Sequence, residues 1–271
     1  MALLAAGSRT LASGDLRFGL TPVFLTNDLE LLERLQSYLA NMTGRTVRLI
    51  QRRTYQEITA LLISGQLDAA WICGYPYIRY RDQLQLLALP VWNGRPLYQS
   101  YLIVDDDRAA KDIGDLRGDI HAFSDPDSNS GYLVTTALLA ERDLRPSEFF
   151  GRTFFTYGHR NVVRAVSSGL AGSGSVDGYV WEVLNETEPQ LTNRTRILRK
   201  SEWLGFPPIA GPAVPRDVAA TRLLTDALMS MDRHEEGRQI LHMLRLDRFE
   251  KHGPALFDQI ATKVKQVQRL G

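Results

Sequence analysis

Short apolar runs alternate with stretches of helical periodicity along the first third of the chain. Residues Leu16–Leu20 form an apolar run that predicts a buried strand, and apolar side chains recur every three or four residues from 31 to 42, which predicts a helix. The segments 46–50 and 68–73 predict two further strands. This β-α-β-α-β order is typical of a parallel sheet with crossover helices.

Two sequences of the capping-box type mark helix starts in this region. Asn27 is followed three residues later by Glu30, and Thr54 is followed three residues later by Glu57. In such a box, each side chain accepts a backbone N–H of the first helical turn. We therefore expect helices that begin after residues 27 and 54.

The rest of the chain repeats this alternation and ends in helices. A polar crossing at 105–107 and an irregular crossing at 205–212 interrupt it. The pattern predicts an α/β protein of two lobes, formed by residues 15–105 plus 206–271 and by residues 106–205, with two connecting strands as a hinge. Strands are predicted at 84–91, 98–104, 120–123, 153–157, 176–180 and 196–198, and helices at 130–141, 161–170, 219–230, 234–246 and 254–267.

Charge and composition exclude several classes of protein. The 32 basic and 31 acidic residues give a net charge of +1, so no strong field attracts nucleic acid or an anionic membrane. No apolar run approaches the roughly 20 residues of a membrane-spanning helix. Residues 1–14 are expected to be a signal-peptide remnant or a disordered end. The single cysteine, Cys73, excludes an internal disulfide and any cysteine-clustered metal site.

Three turns after predicted strands carry candidate binding residues. Ser128 and Ser130 lie where a helix should begin, a position that either cradles an oxyanion or only caps the helix. His159 lies in a second strand-to-helix turn and has the same two interpretations. Cys73 ends a predicted parallel strand, where ligands of open α/β sheets bind, but a free cysteine is also a common packing residue. The nearby Tyr77 suits a pocket or a core.

Motifs of several enzyme classes are absent from the sequence. There is no phosphate-binding loop, no Gly-x-Ser-x-Gly elbow and no dinucleotide fingerprint. The chain is therefore expected to be a binding protein without a cofactor rather than an enzyme.

The ordered set of motifs resembles the PhnD-like family of periplasmic phosphate-, phosphite- and phosphonate-binding proteins, which have the type II periplasmic binding protein fold. The segments that carry the resemblance run along nearly the whole chain: 18–22, 68–72, 124–131, 158–159, 163–166, 176–179 and 207–211. The resemblance implies a periplasmic, monomeric protein whose interlobe cleft binds a small oxyanion. It also implies mixed, mostly parallel sheets flanked by helices.

The resemblance also assigns roles to particular residues. Ser128, Ser130, Gly131 and His159 are implied to hold the oxyanion, and Glu182 to lie where phosphonate binders place an acidic residue against an alkyl amine. Cys73 departs from the small residue usual at its position in phosphonate binders.

This cysteine is similar to that of the arsenite-sensing, AioX-like branch of the family. Soft As(III) prefers a thiolate ligand to an oxygen ligand, and arsenous acid is neutral at pH 7. The main expectation is thus an arsenite receptor that binds As(III) through Cys73, with Tyr77 nearby, and signals to a membrane histidine kinase. The alternative is a phosphate, phosphite or phosphonate receptor of an ABC permease. A less favoured interpretation is an enzyme of the same fold with Cys73 as nucleophile.

Overall fold

The computed structural model describes residues 14–22 and 29–270. Residues 1–13 of the expected signal-peptide remnant and Asn27, the first residue of the expected capping box, therefore lie outside the described residues. The strands are β1 Leu16–Leu20, β2 Val47–Gln51, β3 Ala69–Trp71, β4 Leu84–Val91, β5 Leu97–Tyr98, β6 Ser100–Asp105, β7 Ile120–Phe123, β8 Arg152–Phe155, β9 Ser173–Asp177, β10 Thr195–Lys200, β11 Leu204–Gly205, β12 Ile209–Pro212 and β13 Arg248–Glu250.

Helices flank these strands along the described chain. A π-helical turn at Asn129–Leu133 leads into α4, and 3₁₀ turns lie at Ile113–Leu116, Met231–Arg233 and Pro254–Phe257. The helices are α1 Leu29–Thr43, α2 Tyr55–Ile63, α3 Gly74–Arg79, α4 Val134–Ala140, α5 Pro146–Phe149, α6 His159–Ser167, α7 Gly178–Thr187, α8 Pro189–Thr192, α9 Val218–Met229, α10 Glu235–Met243 and α11 Asp258–Gln268.

Two mixed sheets organise the molecule into two lobes. The sheet of the first lobe has the strand order β13-β4-β12-β3-β1-β2, and that of the second lobe has the order β10-β6-β9-β7-β8. In the first sheet, β1 pairs in parallel with β2 and β3; in the second, β7 pairs in parallel with β8 and β9. The turns that follow these parallel strands lie near one another, at the edge of each sheet that is formed by the carboxyl ends of the strands.

A short antiparallel ribbon joins the lobes. Its strands, β5 and β11, pair Tyr98 with Leu204 and Leu97 with Gly205. The next strand, β6, lies inside the second sheet between β10 and β9, although the sequence placed residues up to 105 with the first lobe. That assignment was wrong for residues 100–105, because the polar run at 105–107 marks the end of β6 and not the crossing.

Local sequence explains where the first helices begin. The predicted capping box at Thr54 is present: its side chain accepts the N–H of Glu57, and the Glu57 carboxylate accepts the N–H of Thr54 at 3.0 Å. Strand β3 is buried over its whole length, as expected of a central parallel strand.

Two expectations about where strands end and helices begin were wrong. The sequence placed a strand at 176–180, but β9 ends at Asp177 and α7 begins at Gly178. The Asp177 side chain accepts the N–H of Val180, which makes it the N-cap of α7 and stops the strand. The sequence also missed the short helix α3, which begins directly after Cys73.

No helix among the described residues is both long and apolar enough to cross a membrane.

The core of the second lobe contains a neutral histidine. The His121 Nδ1 lies 2.8 Å from the Ser173 hydroxyl and its Nε2 lies 2.9 Å from the Ser175 hydroxyl, and the ring stacks on Phe150 with centroids 4.2 Å apart. Burial lowers the pKa of His121 to about 3. An unfolded histidine has a pKa of about 6.5. The stabilisation from neutral His121 is therefore complete above this value and is lost as the pH falls from there towards 3.

This loss can be measured with His121→Phe, whose ring fills the site but cannot hydrogen-bond to Ser173 and Ser175. At pH 7.5 we expect its free energy of unfolding to fall by about 1–3 kcal/mol, because the hydroxyls lose a partner. Between pH 6.5 and 4, its melting temperature should decline less steeply than that of the wild type. Exposed His242, changed to Gln, is the control and should keep the wild-type slope. An unchanged slope in His121→Phe would contradict the assignment.

Candidate functional site

Cys73 lies at the carboxyl end of the first sheet and contacts the second lobe. It is the N-cap residue of α3, with extended backbone angles (φ −77°, ψ 154°), and its side chain is buried. The backbone N–H of Asn129 donates to Cys73 Sγ at 3.2 Å. The thiol is therefore part of the interface between the lobes.

The polar turn after β7 faces this thiol from the second lobe. The Ser128 hydroxyl accepts the N–H of Gly131 at 3.0 Å, so Ser128 does cap the helix start. The carbonyl of Ser130 accepts a hydrogen bond of 2.6 Å from the Ser100 hydroxyl. These bonds hold the π-helical turn in place at the edge of the second sheet.

Tyr55, the first residue of α2, bridges the two lobes twice. Its backbone N–H donates to the Asp125 carboxylate at 3.2 Å, and its hydroxyl lies 3.2 Å from His159 Nε2. The ring is fully buried. The N-terminus of α2 is therefore attached to two separate turns of the second lobe.

His159 is neutral, and its tautomer follows from its contacts. Burial lowers the pKa of His159 to about 3. Because the backbone N–H of Asp177 donates to Nδ1 at 3.1 Å, the ring proton resides on Nε2. Nε2 then donates to the Tyr55 oxygen, and the Tyr55 hydroxyl hydrogen is free to donate to a ligand.

Two carboxyl groups are buried at the same interface. Burial raises the pKa of Asp177 to about 7, although hydrogen bonds to its charged form oppose the shift. Burial also raises the pKa of Asp125, against backbone hydrogen bonds from Asp127 and Tyr55. Among the described residues, no Lys or Arg forms an ion pair with either carboxyl group.

Tyr98 brings the hinge ribbon into the cluster. Its hydroxyl accepts a 2.7 Å hydrogen bond from the Asn129 side-chain amide. Burial raises the pKa of Tyr98 well above its usual value, and burial raises that of Cys73 to about 12. Both groups therefore stay protonated at neutral pH.

Two buried polar atoms of the cluster have no hydrogen-bond partner within the described structure: Ser124 Oγ and Asn129 Oδ1. Both side chains are fully buried. Most buried polar groups in proteins are hydrogen-bonded, so such atoms require an explanation. A ligand between the lobes would supply the missing partners.

The structure brings five of the seven predicted site residues together between the lobes, namely Cys73, Ser128, Ser130, Gly131 and His159. It does not bring Tyr77 to them: the Tyr77 ring packs on Phe257, with centroids 4.9 Å apart. The spacing from Cys73 suggested a shared pocket, but α3 rotates Tyr77 towards the 3₁₀ turn before α11.

Glu182 also lies apart from the cluster. It accepts a 2.7 Å hydrogen bond from the Tyr101 hydroxyl and lies 3.6 Å from Lys200 Nζ. These residues line a groove of about 620 Å³ beside the hinge, together with Trp92 and Trp203. The Glu182 carboxylate thus interacts with Tyr101 and Lys200 instead of with the cluster, and it lies about one turn of α7 beyond Asp177.

Sequence analysis missed several residues of the cluster. Asp177 was hidden inside a segment interpreted as one continuous strand, and Tyr55 lies inside the capping box of Thr54 and Glu57, which already explained the helix start. The other missed residues are Tyr98, Ser124, Asp125 and Asn129. The sequence did contain one signal for Asp177. It is a short acidic residue directly before Gly178, where a helix begins, just as Ser128 is a short polar residue directly before a helix start.

The arrangement suits recognition of a small hydroxylated acid or oxyanion. It offers hydroxyl and backbone N–H donors beside carboxylate and amide acceptors, all buried. No group of three potential metal ligands occurs among the residues that the structure describes. Burial raises the pKa of Cys73 more than the backbone N–H groups of Asn129 and Tyr75 lower it, and the Nδ1 atom of His159 already accepts from Asp177.

A protein-family model described as "ABC transporter, phosphonate, periplasmic substrate-binding protein" matches residues 18–255 of the chain. The match includes every residue of the interlobe cluster.

Solved structures share the fold at low sequence identity. A binding protein component of an ABC phosphonate transporter from Pseudomonas aeruginosa is 21% identical, with 94% of this chain and 87% of that chain covered and a TM-score of 0.86. PhnD1 from Prochlorococcus marinus, in complex with methylphosphonate, is 17% identical, with 94% and 98% covered and a TM-score of 0.83. The alkanesulfonate-binding protein SsuA from Xanthomonas axonopodis pv. citri, bound to MOPS, is 15% identical, with 95% and 94% covered and a TM-score of 0.63. The predicted two-lobe fold is confirmed.

The close approach of Gly131 to Ser124 can be tested by Gly131→Ala. A Cβ atom there would lie 1.8 Å from Ser124 Oγ and 3.0 Å from His159 Cε1. We expect the free energy of unfolding, measured by urea denaturation, to fall by about 1–3 kcal/mol, because the short Ser124 side chain cannot move away without a backbone shift. In the control, Gly253→Ala, the Cβ meets nothing within 4 Å and the change should stay within about 0.5 kcal/mol. Equal effects of the two substitutions would contradict the packing described.

Proposed function

Since the chain belongs to the family of periplasmic substrate-binding proteins of phosphonate ABC transporters, we propose that it binds a small oxyanion of the phosphonate, phosphite or phosphate type between its lobes. The observation that carries this proposal is the buried cluster between the lobes, which contains two polar atoms without partners. On this proposal the protein works in the periplasm as a monomer and delivers its ligand to an ABC permease.

Each lobe supplies one half of the proposed site. Tyr55 and Cys73 come from the first lobe, the turn 124–131 and His159 come from the second, and Tyr98 comes from the ribbon between them. A ligand that contacts both halves is bound fully only when the lobes are closed, so it shifts the population towards the closed form. This shift is what a permease would detect.

Ion pairs at the rim support closure without filling the site. Arg79 of the first lobe lies 3.2 Å from Asp127 of the second, and Arg245 lies 2.8 Å from Glu186. Such exposed pairs contribute little, typically about 0–1 kcal/mol each. The ligand is then the main determinant of how far closure proceeds.

A second candidate, an arsenite receptor that signals to a membrane histidine kinase, is supported by the position of Cys73. Arsenous acid would exchange one As–OH bond for an As–S bond, and the thiol proton would leave with the hydroxyl as water. As(III) prefers sulfur ligands, and the Cys73 sulfur is buried between the lobes. We rank it second because the family match favours phosphorus oxyanions.

We assign no reaction to the chain. A thiol nucleophile needs a base positioned to take its proton. Among the described residues, the groups that hydrogen-bond to Cys73 Sγ are backbone N–H groups, those of Asn129 and Tyr75, and not side-chain bases.

Calorimetric titration with methylphosphonate, phosphite, phosphate and arsenous acid tests both candidates. We expect at least one phosphorus ligand to bind the wild type and Cys73→Ala with affinities within about tenfold of each other. Arsenous acid that binds saturably to the wild type but not to Cys73→Ala would instead support the second candidate. If none of the four ligands binds, both are wrong.

A matched pair of tyrosine variants locates the site. Tyr55→Phe removes the hydroxyl held by His159 and should weaken binding of the ligand identified above by about ten- to a hundredfold, since a hydrogen bond to a charged group contributes about 1.5–3 kcal/mol. Tyr77→Phe removes a hydroxyl outside the cluster and should leave the dissociation constant unchanged. The opposite ranking would place the ligand near α3 instead.

A further inference from the structure

The interlobe cluster contains a buried acceptor that no donor of the described residues reaches, the amide oxygen of Asn129. The Asn129 Nδ2 atom donates to the Tyr98 hydroxyl, so Oδ1 is left without a donor. The carboxyl groups of Asp125 and Asp177 and the sulfur of Cys73 are further acceptors of the cluster. The Ser130 hydroxyl reaches one Asp177 oxygen only at 3.4 Å, a long contact.

We propose that the cleft recognises its ligand through a hydrogen that the ligand itself carries: the bound form is an acid with at least one hydroxyl group and not the fully ionised oxyanion. This inference rests on the proposed function and specifies the chemical form of its ligand. The singly charged form of a phosphonate or phosphite carries such a hydroxyl group, and so does arsenous acid.

The electrostatics of the site support this choice. Among the described residues, no Lys or Arg donates a hydrogen bond to Asp125 or Asp177, and residues 23–28 of the sequence contain neither type. A doubly charged ligand would bring two negative charges beside two buried carboxyl groups. Like charges at a buried site disfavour ionisation, so a proton would be retained.

The groups that face Asp177 are neutral. Cys73, Tyr98, Tyr101 and Tyr179 keep their protons at neutral pH because burial raises the pKa of each, and His159 is uncharged. The positive charge of Arg245 acts on Tyr179, which is one of these groups.

Arg245 is moreover paired with Glu186, at 2.8 Å, and so offers no unbalanced positive charge. The pKa of about 7 for Asp177 fits a carboxyl group without a counter-ion. One proton is then shared between this carboxyl group and the ligand hydroxyl.

Methylphosphonate and methanesulfonate are the decisive probes. The methylphosphonate monoanion and methanesulfonate have the same shape and charge, but only the former carries a hydroxyl hydrogen. By calorimetry of the full chain at pH 7.5, we expect methylphosphonate to bind on the order of a hundredfold more tightly, because a site built for a hydroxyl rejects an analogue without one. Equal affinities would overturn the inference.

The pH dependence provides a second readout that needs no variant. Above the second pKa of methylphosphonate, its affinity should fall by about tenfold per pH unit, because only the protonated form binds. An affinity that stays constant or rises up to pH 9.5 would contradict the inference while leaving the proposed function intact. Failure of methylphosphonate, phosphite, phosphate and arsenous acid to bind at any pH would overturn both.

Arsenous acid identifies which acid the site accepts. It remains uncharged with three hydroxyl groups at neutral pH, so it offers a ligand hydroxyl without bringing a charge to the cluster. Binding that depends on Cys73 would identify the As(III) acid, and binding of methylphosphonate that is independent of Cys73 would identify a phosphorus acid.

Asp177→Asn tests the residue directly. The amide oxygen can still accept the N–H of Val180 and cap α7, but the charge is gone. We expect the fall in methylphosphonate affinity between pH 7.5 and 9.5 to become at least threefold smaller. Asp217→Asn is the matched control, since Asp217 is likewise an N-cap, on α9, and lies outside the cluster. A wild-type pH dependence in Asp177→Asn would exclude this carboxyl group as the acceptor.

Discussion

Polar groups of the two lobes are buried against one another, and each buried donor or acceptor there needs a partner from the other side. The N–H of Asn129 donates to the Cys73 sulfur, and the N–H of Tyr55 donates to the Asp125 carboxylate. A buried group left without a partner costs about 1–3 kcal/mol. The relative position of the lobes is therefore determined by hydrogen bonds as well as by apolar contact.

Burial also accounts for the charge state of the whole cluster. Removal from water disfavours every charged form, so the pKa of His159 is lowered and those of Cys73 and Asp177 are raised by the same cause. No Lys or Arg of the described residues pairs with Asp125 or Asp177, so a negative charge on either carboxyl group has no counter-ion within the cluster.

The sequence predicted the strand and helix order well where local chemistry determines it. The capping box at Thr54 and the helix start at Ser128 are examples, since their signals lie within a few residues. Tyr55 could not be assigned in this way, because its partners Asp125 and His159 lie 70 or more residues away along the chain. Asp177 could not be assigned either, because its partner His159 lies in a different turn and the apolar pattern continues past residue 177. Glu182 was assigned by resemblance, and its position one turn further along α7 pairs it with Lys200.

Tyr98 belongs both to the hinge ribbon and to the interlobe cluster. Its backbone pairs with Leu204, and its hydroxyl holds the Asn129 side chain. If the cluster binds the proposed ligand, a substitution at Tyr98 that alters ligand preference would also act on the ribbon that joins the lobes. Ser124, by contrast, directly follows β7 and is not part of the ribbon. An engineer who wishes to change specificity while leaving the connection between the lobes intact should therefore vary Ser124 and keep Tyr98.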